Sequence, residues 1–308
     1  MNSDQIQERL WHKYYGTDEF SDVTSSHWKR YGEKTKVLKT EQSYKLQGYG
    51  FGNHQRRNVL NVIRNIPTRL MFSKILRDNN ANHKTINTVN KLLKHWNIIF
   101  GFSHLKNLLS FDLLHSHGLF NQPGYICIIG DGYGFLGTLI RMMFPKSKII
   151  FVNLGKVLLF DAYYFSLIFK DLPVVLVEDD LNEKPRNYEI IFMEAENYEL
   201  LNALPISLFI NIASMQEMNL EVIQHYFQYM RSSLEIPYFY CCNRLEKKLP
   251  DGTMVRFLDY PWDMDDKILI DELSPWYQTY PAPNPPFWRR FDGPIHHRLV
   301  KLKRRPFE

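Results

Sequence analysis

The sequence predicts an α/β protein in which a doubly wound, Rossmann-like sheet follows a mostly helical N-terminal region. Short apolar runs alternate with helical patterns from Tyr125 onward, which is typical of parallel strands joined by crossover helices. A glycine-rich loop separates the first of these runs from the first of these helices. We therefore predict a helical region at 1–118, acting as a lid or in substrate recognition. An α/β domain with a Pro/Trp-rich C-terminal extension is predicted at 119–308.

Each element of the α/β part is bounded by turn residues, beginning with the Pro-Gly pair that precedes Tyr125. The predicted strands span 125–129, 148–152, 174–177, 188–193, 208–212 and 238–242, with a last strand-like run at 297–302. The predicted helices span 135–144, 157–169 and 217–234. An uninterrupted apolar run such as 125–129 is typical of a strand that is buried on both faces.

The composition excludes several classes of protein. The chain has 308 residues, of which 44% are hydrophobic and 23% charged, so it is neither disordered nor fibrous. Its three cysteines form neither a disulfide framework nor a zinc pattern. The polar amino end lacks the apolar core of a signal peptide, and polar residues interrupt the apolar stretch 148–169. We therefore expect a cytoplasmic protein without a membrane span.

The charge balance indicates the kind of partner. Lys and Arg exceed Asp and Glu by 38 − 33 = 5, and part of this excess lies in the tail 301–305. No motif of a nucleic-acid-binding fold accompanies the tail, so we expect no nucleic-acid partner. Aromatic residues make up 15% of the chain and suit a core or the flat faces of sugars. A small-molecule or glycan substrate is the expected partner.

The glycine-rich loop lies within 126–137 (ICIIGDGYGFLG). Glycine adopts positive φ angles and lets a ligand approach the main chain, and a helix start offers N–H donors. Three of the glycines match the GxGxG loop of S-adenosylmethionine-dependent methyltransferases, and an overlapping set matches the GxGxxG dinucleotide fingerprint. The loop residues that we expect to contact a cofactor are Gly130, Asp131, Gly132, Tyr133 and Gly134.

The end of the second predicted strand is where both kinds of cofactor place a ribose diol, which an acidic residue usually binds. Asn153 holds that position here, followed by Leu154. An amide oxygen accepts a hydrogen bond from a hydroxyl more weakly than a carboxylate does. We expect both residues to contact the cofactor. Lys156 would suit the 2′-phosphate of NADP, which keeps an NADP-dependent oxidoreductase as an alternative.

Polar residues also follow the predicted strand 208–212, at the same edge of the sheet as the glycine loop. Asn211 and Ser214 are candidate cofactor contacts, and Gln216 and Glu217 are further candidate ligand contacts. Ser214 and Glu217 also have the spacing of a capping box, which would start the next helix. The two interpretations are compatible.

The glycine loop together with 209–218 (FINIASMQEM) resembles the sugar O-methyltransferases, a branch of the class I S-adenosylmethionine-dependent methyltransferases. Three further segments are similar to that family: 46–52 (LQGYGFG), 239–244 (FYCCNR) and 259–262 (DYPW). We interpret 46–52 as an irregular loop and a candidate lid. The resemblance spans residues 25–300.

The resemblance implies a seven-stranded methyltransferase sheet whose last strand is antiparallel, with 297–302 in the closing hairpin. It implies S-adenosyl-L-methionine as the cofactor and a hydroxyl of a sugar or glycoconjugate as the methyl acceptor, as in polysaccharide biosynthesis. It further places Glu194 and Ala195 beside the adenine and makes 174–180 an insertion. The chain departs from the family at Ile128 and Asn153, where acidic residues are usual. A catalytically degenerate binding module is therefore a second alternative.

Methyl transfer to a hydroxyl requires alignment of oxygen, carbon and sulfur, and a general base that accepts the proton. Glu217 is a candidate base because of its position beside the predicted crevice, and His297 because imidazole titrates near neutral pH. An acidic cluster follows in the chain, formed by Asp259, Asp263, Asp265 and Asp266. It lacks a recognisable ligand spacing, so we expect no metal site.

Overall fold

The computed structural model describes residues 2–14, 25–32, 36–40, 43–47, 55–177, 188–282 and 285–305. The glycines of the predicted lid segment 46–52 lie outside these described residues, as does the end of the predicted insertion 174–180.

The helices and the strands are each numbered in chain order. The helices are α1 (Ser3–Tyr14), α2 (Ser26–Gly32), α3 (Val59–Arg64), α4 (Ile66–Asp78), α5 (His83–His95), α6 (Phe102–Ser116), α7 (Phe135–Met143), α8 (Gly155–Ser166) and α9 (Leu220–Ser232). The strands are β1 (Lys36–Thr40), β2 (Ser43–Gln47), β3 (Tyr125–Ile129), β4 (Lys148–Asn153), β5 (Val174–Val177), β6 (Ile190–Glu194), β7 (Ile206–Ile212), β8 (Tyr238–Arg244), β9 (Glu246–Lys248), β10 (Met254–Arg256), β11 (Lys267–Leu273), β12 (Thr279–Pro281), β13 (Trp288–Arg290) and β14 (Ile295–Lys301).

Eight of the strands form one sheet in the order β11-β14-β8-β7-β3-β4-β6-β5. Neighbouring strands from β8 to β5 are parallel, whereas β14 is antiparallel to both β8 and β11. This arrangement confirms the predicted Rossmann-like methyltransferase sheet with an antiparallel last strand. The resemblance implies seven strands, with 174–180 as an insertion. The sheet has eight because β5, at the start of this insertion, pairs with the outer edge of β6.

Each face of the sheet buries alternate side chains of the strands. On β3, Ile126 and Ile128 belong to a hydrophobic cluster with α1, α5, α6, α7 and α8, while Cys127 and Ile129 belong to a second cluster with α9. Burial on both faces explains the uninterrupted apolar run of this strand. The N-terminal helices therefore extend the helical layer on one face of the sheet.

Three elements differ from the sequence-based predictions. The strands β1 and β2 form an antiparallel hairpin inside the region predicted to be mostly helical. The edge strand β11 was not predicted, because its mostly exposed side chains give it no buried apolar run. The helix predicted from residue 217 begins at Leu220, after a 3₁₀ turn at Met215–Glu217. In the described ranges, no helix combines the length and the hydrophobicity that crossing a bilayer requires.

Candidate cofactor and acceptor site

A cavity of about 1050 Å³ opens at the carboxyl ends of the central parallel strands, where an open α/β sheet is expected to bind ligands. We distinguish two walls. The glycine-loop wall follows β3, β4, β6 and β7 and includes Gly130, Asp131, Gly132, Tyr133, Asn153, Leu154, Ala195, Glu196 and Ser214. The aromatic wall comes from distant parts of the chain and includes Trp28, Lys106, Arg244, Tyr277 and Phe291. The volume suits a small-molecule ligand, since such cavities measure roughly 300–1,000 Å³.

The three glycines of the loop have positive φ angles, +78° at Gly130, +86° at Gly132 and +61° at Gly134. A Cβ on Gly130 would lie 2.3 Å from the hydroxyl of Ser214, and a Cβ on Gly134 would lie 2.9 Å from the backbone oxygen of Asp161. Gly130 and Gly134 are thus required by contacts within the protein. Gly132 lines the cavity, whereas Gly134 does not.

Two carboxylates accept hydrogen bonds from backbone N–H groups of the glycine loop and of the helix that follows it. Asp131 accepts hydrogen bonds from the backbone of Leu136 (3.1 Å) and Gly137 (2.9 Å), and so caps α7. Asp161 on α8 accepts a hydrogen bond from the backbone of Gly134 (2.6 Å). These N–H groups are therefore already bound to acidic side chains.

The two carboxyl groups interact with each other electrostatically. Burial raises the pKa of Asp131 to about 6, although the helix N–H groups and the nearby charge of Lys106 act in the opposite direction. Burial and the charge of Asp131 raise the pKa of Asp161 well above its ordinary value. The pair consequently retains a proton to a higher pH than an exposed aspartate would.

Asn153 lies at the cavity, as predicted, but its amide is engaged within the protein. Its Nδ2 donates to Asp161 (2.9 Å) and its Oδ1 accepts from the backbone of Leu154 (3.0 Å). The family that the sequence resembles usually has an acidic residue at position 153, and here the fully buried Asp161 contacts the asparagine that replaces it. In the sequence, Asp161 is distinguished only as a lone acidic residue within an apolar helix.

Asn211 and Ser214 connect the neighbouring strands β7 and β3. The Asn211 amide donates to the backbone oxygen of Ile129 (2.9 Å) and to the Ser214 hydroxyl (2.6 Å), and its oxygen accepts from Asn243 (2.9 Å). Asn211 is fully buried, whereas Ser214 lines the cavity. The Ser214 hydroxyl donates to Ile129 and makes no helix cap, so the capping box predicted with Glu217 is not formed.

The structure does not bring Glu194 to the cavity. Its carboxylate is 2% exposed and accepts hydrogen bonds from Lys13 Nζ and the Tyr14 hydroxyl, both at 2.6 Å. The helix α1 thus covers this side chain. Ala195 and its neighbour Glu196 line the cavity instead, because successive residues after the strand point in different directions.

Glu217 lines the cavity, forms an ion pair with Lys247 at 2.6 Å and lies 3.2 Å from His27 Nε2. Burial alone would raise the pKa of Glu217, but the His27 hydrogen bond and the charge of Lys247 lower it to about 2. The Ser25 hydroxyl also donates to the Glu217 backbone oxygen. Glu217 therefore joins α2 to the sheet and remains ionised at neutral pH.

The structure does not bring His297 to the cavity either. The imidazole is fully buried, with Nδ1 at 3.1 Å from the Tyr240 hydroxyl and Nε2 at 3.5 Å from Glu272. Burial lowers its pKa, which keeps the ring neutral. Tyr240 also contacts Ser110 on α6 (3.2 Å). His297 therefore belongs to the packing between the sheet and α6.

The aromatic wall was not predicted from the sequence. Tyr277 and Phe291 pack edge to face with ring centroids 5.1 Å apart. Lys106 donates to the Tyr277 hydroxyl (3.3 Å), and the Arg244 guanidinium lies 5.3 Å from the Phe291 centroid. The residues are distant in sequence, and the only signal was the abundance of aromatic residues near the C-terminus.

The acidic cluster after residue 258 is used in ion pairs. Asp265 contacts Lys303 at 2.6 Å, and Asp266 contacts Arg231 at 2.7 Å. Among the residues that the structure describes, no group of three or more His, Cys, Asp and Glu side chains is arranged to hold a metal ion.

No family model matches this chain, and no curated protein is similar to it. Solved structures do match. A candidate RNA methyltransferase from Pyrococcus horikoshii has 11% identity and a TM-score of 0.42, covering 72% of this chain and 98% of that one. The mitomycin 7-O-methyltransferase MmcR has 9% identity and a TM-score of 0.35, with 64% and 56% covered. LepI in complex with SAM has 11% identity and a TM-score of 0.37, with 62% and 46% covered. With TM-scores below 0.5, the fold assignment rests on the strand order and strand directions of the sheet.

Proposed function

We propose that this protein is an S-adenosyl-L-methionine-dependent O-methyltransferase that acts on a hydroxyl of a sugar or glycoconjugate. The observation that carries the proposal is the acidic character of the glycine loop. Asp131 and Asp161 already accept the N–H groups of Leu136, Gly137 and Gly134. A cationic cofactor suits these carboxylates.

The same observation disfavours an NADP-dependent oxidoreductase. A dinucleotide fingerprint binds a pyrophosphate through the N–H groups at the loop and the helix start. Here Asp131 and Asp161 would have to give up those N–H groups to a pyrophosphate. Lys156, which suggested NADP, is only 6% exposed and is not among the residues that line the cavity.

The cofactor is proposed to lie along the glycine-loop wall. Gly132 and Asp131 both line this part of the cavity. Leu154, Ala195 and Glu196 line the part of the wall that follows β4 and β6, where the adenosyl group would lie. When bound, S-adenosyl-L-methionine supplies a methyl group on a positively charged sulfur, which leaves as a neutral thioether.

The acceptor is proposed to lie along the aromatic wall. The faces of Tyr277, Phe291 and Trp28 suit the C–H face of a sugar ring, which is the support for a sugar acceptor. Holding the acceptor oxygen in line with the methyl carbon and the sulfur is the main contribution expected of this wall. The reaction forms an oxygen–carbon bond and releases the hydroxyl proton.

The proton is proposed to pass to the pair formed by Glu217 and His27. Glu217 lines the cavity, and its ionised carboxylate lies 3.2 Å from His27 Nε2. A carboxylate in this position orients an imidazole and stabilises its protonated form. His297 is left out of this route because it is buried against Tyr240.

Isothermal titration of the protein with S-adenosyl-L-homocysteine, S-adenosyl-L-methionine and NADPH tests the cofactor. We expect heat with the two adenosyl sulfur compounds and none with NADPH; the reverse pattern would overturn the proposal. Methyl transfer to a panel of sugars and nucleotide sugars then tests the activity. Cofactor binding without transfer to any acceptor would favour the degenerate binding module that Asn153 suggested.

A further inference from the structure

A basic and aliphatic surface lies outside the cavity, on the segment 55–77 that carries α3 and α4. Within these residues the sequence has six cations and no acidic residue, and Asp78, which follows at the end of α4, pairs with Lys74 at 3.0 Å. The cations are Arg56, Arg57, Arg64, Arg69, Lys74 and Arg77, all exposed. We call residues 55–77 the basic-aliphatic surface. Its charge is larger than the net charge of +5 of the whole chain.

Large aliphatic side chains are exposed on the same surface. The exposed fractions are 75% for Val59, 66% for Leu60, 56% for Ile63, 48% for Ile66, 68% for Leu70 and 37% for Met71. A single exposed aliphatic residue is ordinary, but a contiguous group among cations marks an interaction surface. No residue of α3 is buried, so this helix gains no stability from packing its own apolar side chains into the core.

The aliphatic side chains on the outer face of α4 are exposed although the helix packs well against the core. Its inward face buries Phe72 at 2% exposure, with Ile75 and Leu76 packed against the core. Ile66, Leu70 and Lys74 are spaced by four residues and therefore share the outer face. The helix consequently has a core-facing apolar side and a second apolar side that faces solvent beside cations.

We propose that the basic-aliphatic surface binds the surface of an anionic lipid bilayer. Helices that lie in a membrane interface combine exposed aliphatic residues with Lys and Arg in this way. The cations are attracted by acidic headgroups, each contributing about five-fold to partitioning. The aliphatic side chains enter the boundary between headgroups and acyl chains. This mode of binding needs no membrane-spanning helix.

Two other occupants fit the surface less well. A second copy of the chain would bring two sets of six like charges together across a symmetric interface. An RNA strand would be held by cations and by stacking on exposed aromatic rings, but the one aromatic residue in 55–77, Phe72, is buried. Of the three occupants, only a bilayer offers both acidic headgroups for the cations and an apolar boundary for the exposed aliphatic side chains.

Sedimentation of the full chain with vesicles tests the proposal. We expect binding to vesicles of phosphatidylcholine mixed with phosphatidylglycerol, weaker binding at high salt, and little binding to phosphatidylcholine alone. The triple variant Arg64→Gln, Arg69→Gln, Arg77→Gln should weaken partitioning by roughly 100-fold. The double variant Leu60→Ser, Leu70→Ser should weaken it by at least about ten-fold.

Matched controls carry the same changes elsewhere. Arg289→Gln, Arg290→Gln, Arg304→Gln removes the same charge from exposed positions, and Leu258→Ser, Leu273→Ser replaces two leucines that are 65% and 51% exposed. Both controls should bind mixed vesicles like the unmodified protein. Circular dichroism checks that all variants are folded.

Three outcomes would overturn the proposal. The first is no binding to mixed vesicles, and the second is equal loss in variants and controls. The third is a change of occupant: a concentration-dependent dimer in gel filtration, or RNA binding, that only the surface variants abolish. Because no cofactor is added, these outcomes are independent of the proposed methyl transfer.

Discussion

The two walls of the cavity are built in different ways. The glycine-loop wall is formed by residues at or directly after the ends of the parallel strands β3, β4, β6 and β7, and Asp161 closes it from behind. The aromatic wall combines Trp28, Lys106, Arg244 and Phe291, which lie on four separate segments of the chain. A local sequence pattern can specify the first kind of wall. The second exists only once the sheet and the N-terminal helices have packed together.

The comparison predicts separate functions for the walls. Changes in the glycine-loop wall should alter cofactor affinity, and changes in the aromatic wall should alter acceptor binding. Glu217, which ties α2 to the sheet beside Ser25, should affect turnover without altering cofactor affinity.

Gly132→Val should have the largest effect. The residue has a φ of +86° and lines the cavity, so a branched side chain is strained and fills the cofactor's space. We expect titration calorimetry to show a loss of S-adenosyl-L-homocysteine affinity of at least about 100-fold. The control is Gly118→Val, which has a φ of +70° and nothing within 4 Å of the added Cβ. Full affinity in a folded Gly132 variant would remove the glycine loop as the site.

Glu217→Gln should lower turnover by roughly 100-fold and leave the cofactor affinity nearly unchanged. The neutral amide no longer stabilises a protonated His27 or pairs with Lys247. Steady-state kinetics and calorimetry measure the two effects separately. Glu199→Gln, at an exposed carboxylate outside the cavity, is the control. Unchanged turnover would exclude Glu217 from the proton route.

The same substitution has a consequence for stability at acid pH. The pKa of Glu217 is lowered from 4.5 to about 2, so its ionised form stabilises the fold above pH 4.5. This contribution is lost as the pH falls toward 2. Urea unfolding should therefore show a weaker acid dependence in Glu217→Gln than in the unmodified protein over this range.

Phe291→Ala should raise the acceptor KM by roughly ten-fold, because an aromatic face is worth about 1 kcal/mol or more in such contacts. The ring packs against Tyr277 and lies under Arg244. Cofactor affinity should not change. Phe287→Ala removes a ring that is 64% exposed and serves as the control. If the cofactor affinity of Phe291→Ala fell as much as its acceptor affinity, the two walls would not act separately.

Asp131→Asn should weaken S-adenosyl-L-methionine binding, because it removes a carboxylate from the glycine-loop wall, and should have a smaller effect on the pH dependence of stability. The folded pKa of Asp131 is about 6 against an ordinary 3.8, so the folded state binds the proton more tightly than the unfolded state. Stability therefore falls as the pH rises from 3.8 to 6. Asparagine keeps one acceptor oxygen for the N–H groups of α7 and does not titrate. The curve of unfolding free energy against pH should be flatter by up to roughly 3 kcal/mol over this range, and identical curves would contradict the raised pKa.

Sequence patterns predicted the fold well where burial is strong. The strand β3 and its parallel neighbours are buried on both faces, so their apolar runs were visible in the sequence. The strand β11 was missed because only one of its edges is paired and most of its side chains are exposed.

The candidate site was predicted in part, for reasons that individual residues make clear. A sequence position at the end of a strand indicates proximity to the crevice but not the direction of the side chain. Glu194 turns toward Lys13, and His297 turns toward Tyr240. Asp161, which accepts hydrogen bonds from Gly134 and Asn153, lies eight residues after Asn153, where no sequence pattern indicated a site residue. Tertiary packing determines such hydrogen-bond partners.

The contact between α1 and Glu194 has a consequence for how the chain folds. Tyr14 packs on Gly155 and reaches a carboxylate 180 residues further along, and Gln7 pairs with Ser166 at 2.8 Å. During synthesis on the ribosome, α1 must wait for these partners to emerge. Its buried residues Ile6 and Leu10 stay uncovered in the meantime, so docking of α1 is a late, long-range event.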